Sequence, residues 1–355
     1  MIAYSFYQLL APYKRNLNDR ITLRRYKVSS KALLFSFLTL LWAVANIQAQ
    51  TCSCAGAPLT NSLGIGMVAE SPWELQLKYD VHRIQHLVTE TSVLEVGVNQ
   101  RQTQTGLLQL TRTIGERWQF TGVVSWVEQR FQAQNTIKAQ GLGDLIVLGQ
   151  YRLLGGGASL QALYVGAGVK LPTGKTNLTN DSGLLLNPDL QPGTGAWDGI
   201  FSLLYTKSGL WSPKSNLQVS ATYRITSTAE RFSNTQSYRF GPELLLQAGA
   251  SHKLALGKQQ LVPLVLLRYR RTAHDLLNEN QAFNTGGQWL NAGGGLQWQW
   301  TEGISLQSNM LFPLYRKLQG TQLTSSWRLT FALNISLPWN KKPADTPALP
   351  STYRQ

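Results

Sequence analysis

Residues 323–337 read Leu-Thr-Ser-Ser-Trp-Arg-Leu-Thr-Phe-Ala-Leu-Asn-Ile-Ser-Leu. Leu323, Ser325, Trp327, Leu329, Phe331, Leu333, Ile335 and Leu337 share one parity, while Thr324, Ser326, Arg328, Thr330, Ala332, Asn334 and Ser336 share the other. Successive strand side chains point to opposite faces, so one face suits lipid and the other suits water. That is the pattern of a strand in a closed membrane barrel. Residues 73–82 repeat it, with Trp73, Leu75, Leu77, Tyr79 and Val81 against Glu74, Gln76, Lys78, Asp80 and His82. So do residues 216–225, with Leu217, Val219, Ala221, Tyr223 and Ile225 against Asn216, Gln218, Ser220, Thr222 and Arg224.

Twelve such stretches are predicted, near 72–82, 105–114, 117–130, 142–154, 158–171, 195–206, 214–225, 240–253, 259–271, 287–300, 303–315 and 323–337. The predicted fold class is all-β, a transmembrane antiparallel up-and-down barrel of about twelve strands preceded by a signal peptide. An even strand number returns both ends of the wall to one side. Short turns at Gly115-Glu116-Arg117, Gly155-Gly156-Gly157, Leu256-Gly257-Lys258 and Thr301-Glu302-Gly303 alternate with longer connections at 83–104, 131–141, 172–194, 226–239, 272–286 and 316–322. Tight turns belong at the periplasmic end of such a barrel and long loops outside.

The N-terminus carries an apolar run from Leu33 to Ala45 behind Arg24, Arg25, Lys27 and Lys31. It is short of the roughly 20 residues a spanning helix needs and fits the core of a signal peptide. Residues 1–49 are therefore expected to be a signal with an extended basic start, 50–71 a periplasmic segment, 72–339 the barrel and 340–355 a flexible tail. Removing residues 1–49, with seven Lys/Arg and one Asp, lowers the formal charge from +15 to +9. With no zinc spacing and no basic helix, nucleic acid is not an expected partner. The expected partners are outer-membrane lipid, a small-molecule solute and the assembly machinery of a Gram-negative outer membrane.

Cys52 and Cys54 are the only cysteines. A structural or incidental pair, a redox-labile disulfide closing a tiny loop, and a soft-metal thiolate pair are all open readings. No cofactor is expected.

Parity places Lys78, Arg112, Arg152, Lys170, Arg224, Lys253, Arg268, Arg270 and Arg328 in the lumen against Glu74, Asp80, Asp144, Asp198 and Glu243. A confined basic passage favours anions, although ion pairs that brace the wall would use the same residues. Gly166, Gly168, Gly293 and Gly295 either leave room inside or mark bends in the wall.

Catalysis is not expected. A barrel esterase needs a Ser, a His and an orienting carboxylate or amide, but His252 beside Ser251 and His274 beside Asp275 lack a nucleophile elbow. Lys170 to Thr176 fails as a phosphate loop on spacing, and no helix follows it.

Gly141-Leu142-Gly143-Asp144, Gly168-Val169-Lys170-Leu171-Pro172-Thr173-Gly174 and Gln191-Pro192-Gly193-Thr194-Gly195-Ala196-Trp197-Asp198 stand in one order along the chain. In these motifs the sequence resembles the outer-membrane transporter family labelled putative MetA pathway of phenol degradation. The resemblance implies a channel-like barrel, linked by that name to uptake of aromatic compounds. Asp144, Lys170 and Asp198 would meet at the outer mouth, as a pin for the 172–194 loop or as a gate. The expected function is passive passage of small anionic or aromatic solutes. The alternatives are a closed barrel whose loops bind a partner and, behind it, an esterase.

Overall fold

The computed structural model describes residues 71–337 apart from 134–135, 156–159, 234–235 and 258. The expected signal, Cys52 and Cys54, and the tail lie outside the described residues.

Twelve antiparallel strands form one closed wall. They are β1 (Trp73–Thr89), β2 (Ser92–Ile114), β3 (Trp118–Gln132), β4 in two segments (Thr136–Leu142 and Leu145–Leu154), β5 (Gln161–Leu171) and β6 (Asp198–Ser208). The circuit continues with β7 (Ser215–Thr226), β8 (Glu243–His252), β9 (Gln259–Thr272), β10 (Gly287–Thr301), β11 (Ile304–Leu318) and β12 (Thr321–Leu337). Each pairs with its neighbour in sequence, and β1 pairs with β12, so the sheet has no free edge. Closure is what a strand needs in lipid, where an unpaired backbone group finds no water. Trp73 stands opposite Leu337, which puts both ends of the wall on the tight-turn side.

Turn chemistry follows the sequence. Gly115 and Gly257 adopt φ of +59° and +62°, the left-handed region that a tight hairpin requires. The opposite end differs from expectation. Residues 83–104 form no long loop, because β1 and β2 run on to a two-residue turn at Glu90-Thr91, with Glu90 at φ +52°. Likewise 316–322 collapses to a turn at Gln319-Gly320, and β4 begins as early as Thr136. Polar residues on the outer face, Arg83, Gln85, Gln100 and Gln102, erase the lipid-facing alternation there. They hydrogen-bond across the strands instead, Arg83 Nη1 to Gln102 Oε1 at 2.6 Å and Gln85 Nε2 to Gln100 Oε1 at 3.0 Å. The long connections are 172–197, 227–242 and 273–286, with a small rim sheet built from Ala229–Ser233, Gln236–Arg239, Leu276–Leu277 and Asn280–Gln281.

Bulges revise the parity of two residues. Opposite β1 the register of β12 skips Ser326, so that Ile84 pairs with Ser325 and His82 with Arg328. An inserted residue turns every side chain beyond it to the other face. Leu323 and Ser325, expected to face lipid, therefore turn inward: Leu323 is buried, and Ser325 Oγ lies 2.9 Å from Nε2 of the buried His82. Arg112 is also corrected, from lumen to outer face. It stands opposite Trp73 and Phe120, in phase with exposed Leu108 and Leu110, and its guanidinium carbon lies 4.5 Å from the Trp73 ring centroid. Lys253 is exposed next to a tight turn.

The inner face is not uniformly polar. Leu107, Val123, Ile146, Leu148 and Ile200 cluster inside the wall of β2 to β6. The glycines are bends rather than room: a Cβ on Gly168 would lie 2.5 Å from the Val147 carbonyl oxygen, and one on Gly293 only 1.8 Å from that of Met310. Gly293→Val should therefore block closure of the wall. The expected result is loss of the compact, fast-migrating form on unheated SDS gels, whereas Gly199→Val, at a position with open space, should retain it.

Candidate functional site

Register alone assembles a line of alternating charges inside the outer end of the barrel. Lys170 on β5 stands opposite Asp198 on β6, and Arg224 on β7 opposite Glu243 on β8. Asp144 sits at the break in β4, and Arg270 on β9 is one inward position below Thr272, the partner of Glu243. Lys170 Nζ lies 2.9 Å from Asp144 Oδ2 and 3.1 Å from Asp198 Oδ2. Arg224 then reaches Asp198 at 3.6 Å and Glu243 at 3.1 Å, and Arg270 reaches Glu243 at 3.2 Å. The line ends with the Arg270 guanidinium 5.0 Å from the Trp289 ring centroid. Six charges on six consecutive strands thus offset one another where an isolated buried charge would be strongly unfavourable.

The first members of this line also hold the long loop. Asp144 Oδ1 accepts from the Gly174 amide at 2.9 Å, and Oδ2 from the Thr194 amide at 2.9 Å and hydroxyl at 2.7 Å. Lys170 donates to the Thr194 hydroxyl and to the Ala196 carbonyl. Both arms of the loop are drawn to one carboxylate, and close approach needs glycine there. A Cβ on Gly174 would lie 2.6 Å from the Gly193 Cα, and a Cβ on Gly143 2.3 Å from Ser125 Oγ.

Pinned at its base, the loop turns into the barrel. The short turn Pro188–Leu190 carries Asp189 to Arg101 on β2, 2.7 Å away, and Arg101 also donates to Gln129 on β3 and to the Asp189 carbonyl. Gln191, fully buried, ties Leu178 and Leu186 together through three hydrogen bonds. Leu186 and Leu190 pack on Ala139, Phe131 and Ile137. Sequence reasoning singles out none of Arg101, Gln129 and Asp189, and gives Gln191 only as a member of a motif. They lie in stretches read as loop or strand end, and only the three-dimensional path of 172–197 joins them.

Between this loop and the rim is a cavity of about 200 Å³. Leu185, Leu186, Phe232, Tyr238 and Leu277 give it an apolar wall, and Asn187, Asp189, Ser233 and Asp275 a polar one. Asp275 accepts from the Tyr238 hydroxyl at 2.6 Å and the Gly241 amide at 2.8 Å. Burial nonetheless pushes its pKa up to about 6, with nearby Asp189 adding to the rise while Tyr238, Gly241 and Arg224 oppose it. Burial raises the Asp189 carboxyl and the Tyr238 phenol as well.

Deeper in the lumen, Lys78, Arg268 and Arg328 line a second cavity of about 70 Å³ with Gln76, Gln247, Asn309 and Thr330. Arg328 clasps Asp80 through two 2.8 Å bonds. Arg152 faces inward near the turn end, 3.6 Å from Glu116. Thus Lys170, Asp144, Asp198, Arg224 and Arg270 form one cluster, Lys78, Arg268 and Arg328 another, and Arg152 and Arg112 stand apart from both.

Lys170 and Asp275 each have a measurable consequence. Lys170→Met leaves two buried carboxylates facing each other, and breaking a buried pair costs roughly 3–5 kcal/mol. The 172–197 loop should then become cleavable by protease in folded protein, while wild type resists. The second concerns Asp275. A carboxyl whose pKa is raised on folding stabilises the fold fully below its unfolded value near 3.8 and loses that contribution as pH rises through about 6. Amides of 275–285 should exchange faster at pH 7.5 than at pH 5 after correction for intrinsic rates, and Asp275→Asn should remove the difference.

Comparison with known proteins bears on both fold and site. The family model described as "Putative MetA-pathway of phenol degradation" matches residues 88–329, more than half of the chain and inclusive of every strand of the charge line. No curated protein matches the sequence. Among solved structures, the COG4313 outer membrane channel from Pseudomonas putida F1 is similar, with a TM-score of 0.62 and 12% identity over 76% of this chain and 96% of that one. The CymD monoaromatic hydrocarbon channel aligns with a TM-score of 0.40 and 9% identity, covering 77% of this chain and 90% of that one. The fold is that of a twelve-stranded outer-membrane β-barrel.

Proposed function

The chain belongs to the family described as "Putative MetA-pathway of phenol degradation", and from that premise we propose a passive outer-membrane channel for small aromatic solutes bearing an acidic or anionic group. The observation that carries this reading is a pair of cavities, one between the long loop and the rim and one in the lumen. The outer one offers an apolar wall of Leu185, Leu186, Phe232, Tyr238 and Leu277, and the inner one offers Lys78, Arg268 and Arg328. A ring desolvates favourably against Leu185, Phe232 and Leu277. Its hydroxyl or carboxylate is then drawn toward the basic lumen.

Asp189, held by Arg101, borders the outer cavity, so passage inward from it calls for small displacements of the 172–197 loop. The selectivity residues are narrowed accordingly. Arg224 is spoken for by Asp198 and Glu243, and its role is bracing. Lys78 and Arg268 border the inner cavity and set the field there.

The same pinned loop favours a second reading, a closed barrel whose rim binds a partner; conductance separates the two. An enzymatic role has less support. His82 Nε2 does meet Ser325 Oγ at 2.9 Å, but Asp80, the adjacent carboxylate, has both oxygens engaged by Arg328, and Thr330 donates to it as well. We assign residues 1–49 to an export signal and 50–71 to the periplasmic side, with lipid and the barrel-assembly machinery as partners in biogenesis.

In planar bilayers under a salt gradient, wild-type protein should show a reversal potential of the sign set by anion preference. The double substitution Lys78→Gln with Arg268→Gln should move it toward cations while leaving the unheated gel mobility unchanged. An unshifted potential would remove these two residues as selectivity determinants, and absence of any conductance would favour the closed barrel.

A further inference from the structure

The outer face ends differently on different sides of the barrel. On β5, β6 and β7 the last outer-face rung reads Val169, Gly199 and Ile225, with Val169 and Ile225 exposed, so this side is apolar to the ends of its strands. On β1 to β4 the wall runs on past the apolar band. Exposed Leu77, Leu108 and Val124 form one rung there, and Tyr79, Gly106, Trp126 and Leu142 the next outward. Beyond them come Val81, Gln104, Glu128 and Gln140, and then Arg83, Gln102, Arg130 and Lys138. Three cations thus share one cross-strand rung on the outer face, past the part of the wall that acyl chains cover.

Arg130 and Lys138 stand directly opposite each other. Like charges so placed on neighbouring strands repel, which disfavours this pair unless an anion joins it. Glu128, the one carboxylate on these two outermost rungs, offsets part of the repulsion: its Oε1 accepts from Arg130 Nε at 3.0 Å and lies 2.8 Å from Nη2. The Arg130 side chain remains 54% exposed. Arg83 is held by neutral groups, Nη1 donating to Gln102 Oε1 at 2.6 Å and Nη2 to Gln100 Oε1 at 3.0 Å. These amides orient the guanidinium without cancelling its charge. Glu90 and Glu95 lie farther out, in and beside the β1–β2 turn.

Beyond the apolar band on the long-loop side, the wall meets the headgroups of the outer leaflet. The spacing of the cations says what kind of headgroup fits. Neighbouring strands lie about 4.8 Å apart, so Arg130 and Lys138 are close enough to share one phosphate, while Arg83 stands about 10 Å from Arg130, two strands away. Arginine suits a phosphate through paired N–H groups and lysine as a point charge. The single phosphodiester of an ordinary phospholipid engages the Arg130–Lys138 pair and leaves Arg83 unused. A headgroup with two phosphates at opposite ends of a disaccharide engages both.

We propose that the outer face of β1 to β4 binds a bis-phosphorylated glycolipid of the outer leaflet, the chemistry of lipid A in lipopolysaccharide. One phosphate sits on Arg130 and Lys138, whose mutual repulsion it relieves. The other sits on Arg83, with the amide NH2 of Gln102 as a further donor, because the oxygen of that amide is already taken by Arg83. The acyl chains run down over Tyr79, Trp126 and Leu142 toward Leu77, Leu108 and Val124. The apolar rim of β5 to β7 offers phosphate no counter-charge, so the glycolipid docks at a fixed place on the wall. This site does not depend on whether the lumen conducts.

The test is retention of added lipid by the purified full chain in detergent, read by native mass spectrometry. The probes are bis-phosphorylated lipid A, its monophosphoryl form and phosphatidylglycerol. Wild type should retain the bis-phosphorylated form best and phosphatidylglycerol least. Arg130→Ala with Lys138→Ala should weaken lipid A binding about tenfold or more, since charge-assisted bonds to phosphate are lost. Arg83→Ala should abolish the advantage of two phosphates over one. Arg271→Ala with Lys317→Ala removes the same two charges from another outer-face rung, where they flank Gln288, and should leave binding nearly unchanged. Equal loss from the two double variants reduces the effect to net charge and overturns the site. Equal retention of lipid A and phosphatidylglycerol by wild type overturns it as well. Each variant is checked for the fast-migrating form on unheated gels. Should the Arg130 and Lys138 double variant lose that form, Lys138→Gln alone decides: weaker lipid A binding supports the site, and unchanged binding overturns it.

Discussion

The ammonium of Lys170 is enclosed by protein, and the outer half of the molecule is arranged around that fact. A charge taken out of water must be repaid by opposite charge and hydrogen bonds in good geometry. Asp144 and Asp198 supply the first, and the Thr194 hydroxyl and Ala196 carbonyl the second. Three of these four groups are not on the strand that carries Lys170 or on its partner in the ladder. Satisfying the lysine therefore requires the break in β4 and the return of the long loop to the wall. The same requirement propagates sideways, since Asp198 is shared with Arg224, and Arg224 with Glu243. The loop so held is the one that enters the barrel and narrows it.

Most of the fold was legible because a lipid-facing strand has a period of two and little freedom to depart from it. All twelve strands were found, with errors mainly at the outer ends. There the wall leaves the bilayer, both faces become polar, and alternation ceases to mark a strand, so β1 and β2 were cut short at 82 and 105. Bulges were the second blind spot. Ser325 and Ser326 are two small polar residues in a row, which the parity argument passed over, yet skipping Ser326 turned Leu323 to the inside. Arg112 was misplaced because its charge was given more weight than its phase with Leu108 and Leu110.

The site was legible in part. Asp144, Lys170 and Asp198 sit in short glycine-rich motifs whose order along the chain places them on adjacent strands at one end, and register does the rest. Arg101 and Asp189 were not legible. Their contact joins residues 88 positions apart through the course of a loop, and neither strand alternation nor a motif encodes that course.

The structure therefore combines a rigid wall with an inward loop held by side chains at the outer end, where a solute arrives. Whether the barrel is a conduit is decided by current recorded from single wild-type molecules while a small aromatic carboxylate is added on the loop side. A conduit of this kind should show a small steady conductance interrupted by brief blocks, more frequent with added solute and lost when the solute is an aliphatic cation of similar size. A silent molecule, or a current indifferent to the aromatic anion, would contradict it.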